Sequence, residues 1–145
     1  GSDHSPAADE EKDNESRDIW QAWGGLNAIQ FFLPMMFDMV VHQKKLCPSL
    51  IAKVMDYNPA KVFGFYGQKG AFEIGFDADA VILDPEKPWK VEQEKLFTKG
   101  HVTCFDGLEG KGAPTCTVIR GRVVAKDGMY VEEAKGFGKY VTPVR

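Results

Sequence analysis

The spacing of hydrophobic residues changes from helical to strand-like near Gly70, and this change constrains the fold more than any other feature. Between Gly25 and Tyr66, apolar residues recur every three or four positions, as they do on the buried side of a helix. After Gly70 they come in short runs separated by turn residues. The polar segment from Ala8 to Asp18 has little to bury and is predicted to be a loop. The sequence therefore predicts an α/β chain whose helices precede an antiparallel β unit.

The first predicted helix carries one apolar stripe, and a proline lies within the same stretch of sequence. Because Pro34 has no backbone N–H, it predicts either a kink or a late start of this helix. Pro48 suits the first turn of a second helix. Asn58-Pro59 is predicted to be a cap followed by a first-turn proline, which begins a short third helix from Ala60 to Phe65. The stripe of the first helix consists of Leu26, Ile29, Leu33, Met36 and Val40, and the second helix is expected to bury Ile51, Val54 and Met55.

The strands are predicted from β-branched runs and turn residues. The short apolar run Ala80–Leu83 lies between two aspartates, which favours a strand buried on both faces. A second β-rich run extends from Thr115 to Ala125 and is broken at Gly121. Asp127-Gly128 then predicts a tight hairpin turn before another short strand.

Composition excludes several classes of protein. With 145 residues, the chain forms one domain or two small pieces that share a core. A net charge of −3, without clustered Lys and Arg, argues against nucleic-acid binding. The longest apolar run, Phe31 to Phe37, is too short to span a bilayer, and the acidic start shows no signal peptide. Three cysteines without a CxxC pair indicate ordinary thiols. We therefore expect a cytoplasmic protein without a nucleic-acid or membrane partner.

Two acidic motifs are candidates for chemistry. Ser2 to Pro6 places Asp3 beside His4, but adjacent residues on a strand point to opposite faces and do not easily converge on one ion. Spacing alone therefore indicates a capped turn. Asp77 and Asp79 flank one alanine just before a predicted strand, where aspartates more often hydrogen-bond the backbone than bind a metal.

The remaining polar and aromatic residues give weaker signals. His42 and His101 have no ligand at metal-binding spacing and are predicted to lie at the surface. Gly110-Lys-Gly112 is too short for a phosphate loop. Four aromatic residues without interleaved basic residues are expected to form core or subunit contacts, namely Trp20, Trp23, Phe31 and Phe32.

Several segments, read together and in order, resemble the cyclic amidohydrolases. The start Ser2-Asp-His-Ser-Pro6, then Glu10 and Lys12, then Ala22-Trp-Gly-Gly25, resembles the end of the barrel in allantoinases. Two further segments are similar to the junction and the closing hairpin of hydantoinases, dihydropyrimidinases and dihydroorotases. They are Asn58–Gly64 followed by Lys69–Asp79, and Thr117–Gly121 followed by Asp127-Gly128.

This resemblance implies a fold and a site. Residues 1–68 would be the C-terminal end of a (β/α)8 TIM barrel, and residues 69–145 part of a small antiparallel β-sandwich. Such enzymes hold two divalent metal ions, usually zinc, and open the ring amide of allantoin or a hydantoin-like substrate. Asp3 matches their aspartate, which binds one metal and transfers the proton during hydrolysis. Trp23 and Gly24 fall where relatives bind the cyclic amide, and glycine lets the backbone approach a ligand closely.

The resemblance also implies what this chain lacks. A barrel of this kind needs roughly 200 residues or more, and the other metal ligands come from its earlier strands. We therefore expect the chain alone to be inactive, to hold no metal, and to need an N-terminal segment or another chain. The complete protein would be a homo-oligomer, a tetramer or a dimer. The alternative is a non-catalytic module for assembly or partner binding, similar to neuronal dihydropyrimidinase-like proteins.

Overall fold

A computed structural model of the chain describes residues 2–12 and 18–144. The helical segments are α1 (Asp9–Lys12), α2 (Phe32–Phe37) with a π-helical continuation (Asp38–Gln43), α3 (Ser49–Ala52) with a π-helical continuation (Lys53–Tyr57), and α4 (Asn58–Val62). The strands are β1 (Ala80–Lys90), β2 (Glu109–Ile119), β3 (Arg122–Lys126) and β4 (Met129–Tyr130), and two 3₁₀ turns cover Gln93–Lys95 and Glu132–Ala134. Helices precede strands, as predicted. Within the described ranges, no helix combines the length and the apolar character needed to cross a membrane.

The short helix α1 occupies part of the segment from Ala8 to Asp18, so the prediction of a loop is wrong over Asp9–Lys12. Glu11 explains this helix, since its Oε2 accepts a hydrogen bond from the Ala8 N–H at 3.0 Å. A glutamate that reaches back in this way forms half of a capping box and satisfies an N–H left unpaired at the helix start. Residues 13–17 of the predicted loop lie outside the described residues.

Helix α2 confirms the late start predicted from Pro34. The helix begins at Phe32, and Pro34 lies in its first turn, where a backbone N–H would be unpaired in any case. Leu26 and Ile29 precede the helix and are exposed, so their assignment to its buried stripe is wrong. The rest of the stripe lies in or against the core, namely Leu33, Met36 and Val40.

Helix α4 has Pro59 in its first turn, as predicted, but Asn58 is not a cap, because the chain stays helical from α3 through α4. Asn58 has helical angles, with φ −64° and ψ −47°, and its N–H bonds to the Lys53 carbonyl. This hydrogen bond spans five residues, as in a π-helix, and widens the helix just before Pro59. The chain has therefore already departed from α-helical geometry where the proline occurs. The last helix also ends at Val62, before the predicted limit of Phe65.

The four strands form one antiparallel sheet in the order β1-β2-β3-β4, which confirms the predicted β unit. Asp127 and Gly128 have φ of 49° and 83°, and Arg120 and Gly121 have φ of 46° and 76°. Positive φ at both central residues is the signature of the type I′ hairpin turn. The hairpin predicted at Asp127-Gly128 is therefore confirmed, and the break predicted at Gly121 is a second turn of the same kind.

Strand β1 is longer and more exposed than predicted. It continues beyond the apolar run Ala80–Leu83 to Lys90, with a shift in its register against β2 after Asp84. Val81 is 46% exposed and Ile82 is 57% exposed, so burial on both faces is wrong. The physical reason is that the described residues form a single sheet, without a second sheet over these side chains.

Two hydrophobic clusters form the core, and both join the helical and the β parts of the chain. The first contains Ala28, Phe31, Val91 and Leu96, and the second contains Phe37, Val40 and Ile51 with Met55 and Leu83 packed against it. Val54, which was expected to be buried with Ile51, is exposed. Residues 1–68 and 69–145 thus share a core, and the boundary between them stays a prediction.

Glycines allow α2 to pack closely against β2. A Cβ placed on Gly112 would lie 2.1 Å from the Phe37 ring, and one on Gly110 would lie 2.9 Å from the Asp38 carboxyl carbon. Asp38 caps this contact by accepting the Lys111 N–H at 3.0 Å. That hydrogen bond lowers the pKa of Asp38 below its ordinary value.

Candidate active site

Asp3 lies on a short extended segment that pairs with Leu26. A parallel bridge joins His4 to Leu26, and the Ser5 N–H donates to the Leu26 carbonyl at 2.9 Å. Asp3 is exposed and has φ 49°, a left-handed conformation that costs most residues roughly 1–2 kcal/mol but that Asp tolerates better. Backbone strain of this kind is concentrated at active sites and ligand-binding sites.

His4 is engaged with the backbone rather than with Asp3. Its Nδ1 accepts the N–H groups of Ala28 at 3.1 Å and Ile29 at 3.3 Å. A neutral imidazole in this arrangement carries its proton on Nε2. His4 therefore caps the segment before α2, in agreement with the capped turn predicted from the sequence.

The loop Trp23–Gly25 is fastened to both α1 and the Asp3 segment. The Trp23 N–H donates to the Glu11 carbonyl at 2.9 Å, and its indole Nε1 donates to Ser5 Oγ at 3.3 Å. The Lys12 ammonium donates to the Trp23 carbonyl at 2.7 Å and also to the Gly25 carbonyl. Trp23 remains 55% exposed, so these contacts fix the loop without burying it.

The two glycines of this loop face different surroundings. A Cβ on Gly25 would lie 2.2 Å from the Ser5 carbonyl oxygen and 2.4 Å from the Ser5 Cβ. Around Gly24, the same construction meets nothing within 4 Å. Gly25 thus packs on the Asp3 segment, whereas Gly24 faces open space. The residues predicted to bind substrate, Trp23 and Gly24, therefore lie on a loop attached two residues from Asp3, and their role stays a prediction.

The residues that the structure describes do not by themselves form the metal site that the resemblance implies. Across residues 2–12 and 18–144, no three His, Cys, Asp or Glu side chains come together as a group that could hold an ion. Divalent zinc takes three or four protein ligands in most sites. Asp3 offers a single carboxylate, so the described residues do not by themselves complete a site for either ion.

Asp77 and Asp79 are held by a lysine. Lys69 Nζ lies 2.8 Å from Asp77 Oδ2 and also contacts Asp79 Oδ2, and Asp79 Oδ1 accepts the Arg120 N–H at 2.8 Å. The hydrogen bond from Lys69 lowers the pKa of Asp77. The backbone contact of Asp79 confirms the predicted turn chemistry. The ion pair with Lys69 was not predicted, since nothing in the local pattern pairs residues across this glycine-containing turn.

The other residues singled out from the sequence fall into two groups. His101 is exposed as predicted, and His42 is partly exposed, with Nε2 2.8 Å from the Pro85 carbonyl. Cys47, Cys104 and Cys116 are free thiols, as expected. Of the four aromatic residues, Phe31 lies in the core, Phe32 is half-buried, and Trp20 and Trp23 are exposed.

Sequence reasoning missed the supports of the loop. Asn27 is buried and its Nδ2 donates to Thr98 Oγ1 and to the Gly100 carbonyl, both at 2.7 Å. Asp9 Oδ1 accepts the His101 N–H at 2.8 Å. The partners in these contacts are 70 or more residues apart along the chain, and no local sequence pattern around either partner predicts them. They fix the loop side of the site to the segment that follows β1.

Comparison with known proteins decides the family. The sequence signature described as the amidohydrolase family matches residues 1–124, which include the Asp3 segment, the loop and most of the sheet. The chain belongs to the amidohydrolase family. This confirms the resemblance drawn from the sequence and makes the neighbourhood of Asp3 the first candidate for an active site.

The amidohydrolase chain matches only part of the length of each relative. It is 39% identical over 142 residues to an L-hydantoinase of Paenarthrobacter aurescens and 35% identical over 144 residues to an allantoinase of Rubrobacter xylanophilus. These alignments cover 98% and 99% of the chain and 31% of each relative. The structure matches a D-hydantoinase (dihydropyrimidinase) from Thermus sp. with a TM-score of 0.82 at 27% identity, over 90% of this chain and 29% of that one. The chain thus spans about 30% of the length of these proteins.

Proposed function

We propose that this chain is the C-terminal part of a metal-dependent cyclic amidohydrolase. Residues 1–68 would complete a (β/α)8 barrel and residues 69–145 would contribute to a β-sandwich. The observation that carries the proposal is that the family match covers residues 1–124, which include the exposed Asp3 together with the loop tied beside it. An exposed carboxylate next to a glycine loop with open space around Gly24 leaves room for a ligand at this point.

The proposed substrate is a five-membered cyclic ureide, with allantoin as the first choice. The relatives named above are two hydantoinases, one of them also named a dihydropyrimidinase, and an allantoinase, and allantoin is itself a hydantoin that carries a ureido group. The start of the chain and Ala22–Gly25 resemble allantoinases and lie at the proposed site. Gly24 has open space around it, which allows the ring to approach the main chain.

In this proposal Asp3 is the proton-transfer group. Its carboxylate accepts a proton from the water that attacks the ring amide and passes it to the leaving nitrogen, a task that suits a positioned carboxylate. Trp23 and Gly24 contact the ring. The two metal ions, zinc by resemblance, would supply an activated water, and all of their ligands except Asp3 would come from outside this chain. The 145-residue chain alone is therefore proposed to be inactive.

The test is Asp3→Asn in the full-length protein. We expect kcat for ring opening to fall roughly 10²–10⁴-fold, because the amide keeps the shape of the side chain and loses its basicity. Glu94→Gln, at an exposed carboxylate on the Gln93–Lys95 turn, is the matched control and should leave the rate unchanged.

Rates are measured on allantoin, hydantoin, dihydrouracil and dihydroorotate, with far-UV circular dichroism as a check on folding. Faster turnover of dihydrouracil or dihydroorotate would contradict the five-membered ring, and equal rates for Asp3→Asn and wild type would remove Asp3 from the mechanism. A wild-type protein that opens none of the four rings would favour the non-catalytic assembly module instead.

Assembly is a further part of the proposal. Many large apolar side chains are exposed within the described ranges, among them Trp20, Phe72, Ile74 and Tyr140. Exposed apolar surface on this scale marks contacts with other protein surface. We infer that the N-terminal remainder of the protein covers part of it and that further copies, in a dimer or tetramer, cover the rest. The proposed location is the cytoplasm.

A further inference from the structure

The Lys12 side chain binds two carbonyl groups of the proposed substrate loop at once. Its ammonium donates to the carbonyls of Trp23 and Gly25, which flank Gly24 on either side. An ammonium has three N–H donors and no acceptor, so it can serve both oxygens at once. Hydrogen bonds from a charged donor are roughly twice as strong as neutral ones. The loop is thereby bent around the Lys12 side chain.

The lysine itself projects from an anchored support. It is the last residue of α1, and this helix is attached at its start by the hydrogen bond from the His101 N–H to Asp9 Oδ1. Near its end, the Glu11 carbonyl accepts the Trp23 N–H at 2.9 Å. The bond at Asp9 ties α1 to a segment outside the loop, and the bond at Glu11 adds to the contacts of Lys12 with the loop.

The conformation of the loop decides what it presents to a ligand. With the carbonyls of Trp23 and Gly25 turned toward Lys12, and Gly25 packed on Ser5, Gly24 is the residue left on the open side. Without the ammonium, these two carbonyls would lose their common partner and would turn toward water. The bond from the Trp23 N–H to the Glu11 carbonyl and the packing of Gly25 on Ser5 would remain, so the main chain at Gly24 would be held by fewer contacts.

We propose that Lys12 is the positioning residue of the Trp23–Gly25 loop and that, through this loop, it sets the affinity for the cyclic amide. The second half of this statement rests on the proposed function. Lys12 acts through the main chain of the loop and does not itself contact the substrate.

The experiment compares Lys12→Met and Lys12→Arg in the full-length protein, with Lys135→Met as the matched control. Methionine keeps most of the unbranched stem and removes the charge, whereas arginine keeps the charge. Lys135 is 78% exposed and pairs only across one turn with Glu132. We expect Lys12→Met to raise KM for the ring amide about tenfold, the scale of one lost charged hydrogen bond, with kcat little changed. Lys12→Arg should recover part of the affinity, and Lys135→Met should match wild type.

Hydrogen exchange of the amides in residues 22–26 is the second readout and does not depend on catalysis. Faster exchange there in Lys12→Met, but not in Lys135→Met, supports positioning. An unchanged exchange rate, or a lower kcat at unchanged KM as expected from partial unfolding, overturns the proposal. A wild type without activity on any ring amide refutes the proposed function and the role of Lys12 in affinity, while the exchange result still decides whether Lys12 holds the loop.

Discussion

Replacing each of the two adjacent glycines of the loop by alanine separates its structural side from its proposed binding side. In Gly25→Ala the new Cβ would lie 2.2 Å from the Ser5 carbonyl oxygen, more than an ångström inside the ordinary contact that starts at 3.4 Å. The obstacle is backbone, so no side-chain rotation relieves it. Gly24→Ala meets no atom within 4 Å. Neither glycine has a positive φ, so the two changes differ in space and not in backbone preference.

The expected magnitude follows from what must move. Relieving the clash separates the loop from the Asp3 segment and strains the 2.9 Å hydrogen bond from the Ser5 N–H to the Leu26 carbonyl. Forced overpacking costs about 1–3 kcal/mol, and one lost hydrogen bond about 0.5–1.5 kcal/mol. We therefore expect Gly25→Ala to lower the free energy of unfolding by about 2–4 kcal/mol. Gly24→Ala should change it by less than about 0.5 kcal/mol, as surface substitutions do.

Urea unfolding followed by circular dichroism gives the stabilities, and initial rates of ring opening give kcat and KM. Gly24→Ala should raise KM in a stable protein, because the methyl group occupies the open space where the ring is proposed to lie. Equal losses of stability in the two variants would refute the packing argument. An unchanged KM in Gly24→Ala would refute the binding role of Gly24.

Two further predictions concern the rest of the chain. Gly112→Ala should lower the free energy of unfolding by about 2–5 kcal/mol, because Gly112 has φ 95° and the new Cβ would press against the buried Phe37 ring. Gly128→Ala, at φ 83° with open space around it, should lower that free energy by only about 1–2 kcal/mol. Equal urea midpoints in the two variants would contradict this. The pKa of Asp77 is lowered by Lys69, so its stabilising contribution is present above its unfolded pKa and is lost as the pH falls below about 4. Urea midpoints measured from about pH 5 to 2 should therefore fall less steeply in Asp77→Asn than in wild type, and parallel curves would contradict the assignment.

The sequence correctly predicted those elements that depend only on the residues within them. The late start at Pro34 and the turn at Asp127-Gly128 depend on backbone chemistry that the residue type alone dictates. The errors arose where a distant partner decides the outcome. Leu26 fits a helical stripe by spacing, yet its carbonyl is used by Ser5 on the Asp3 segment, which holds it outside α2. The apolar run around Val81 predicts a buried strand, but the described residues form one sheet, with no second sheet to cover its side chain.

The candidate site shows the same division. Asp3, Trp23 and Gly24 were singled out because ordered segments resemble a family, not because any spacing required a site. Lys12 belonged to the same segments, but its role could not be predicted, since its contacts lie 11 and 13 residues away along the chain. The acidic residues around Lys12 in the sequence do not indicate that its side chain will bind two carbonyl groups.

A single proposal explains two features of this chain that would otherwise be unrelated. Among residues 2–12 and 18–144, the exposed carboxylate of Asp3 has no companions of the kind that a metal site needs, and the exposed apolar side chains of β1 have no covering sheet. Both deficits are of the kind that further protein would supply, and the chain spans only about 31% of its curated relatives. The supports of the loop, by contrast, lie within the chain, since Lys12, Ser5 and Glu11 are all described residues. We infer that this chain contributes a self-supported substrate loop and one carboxylate, and that the remainder of the protein contributes the other ligands and the missing cover.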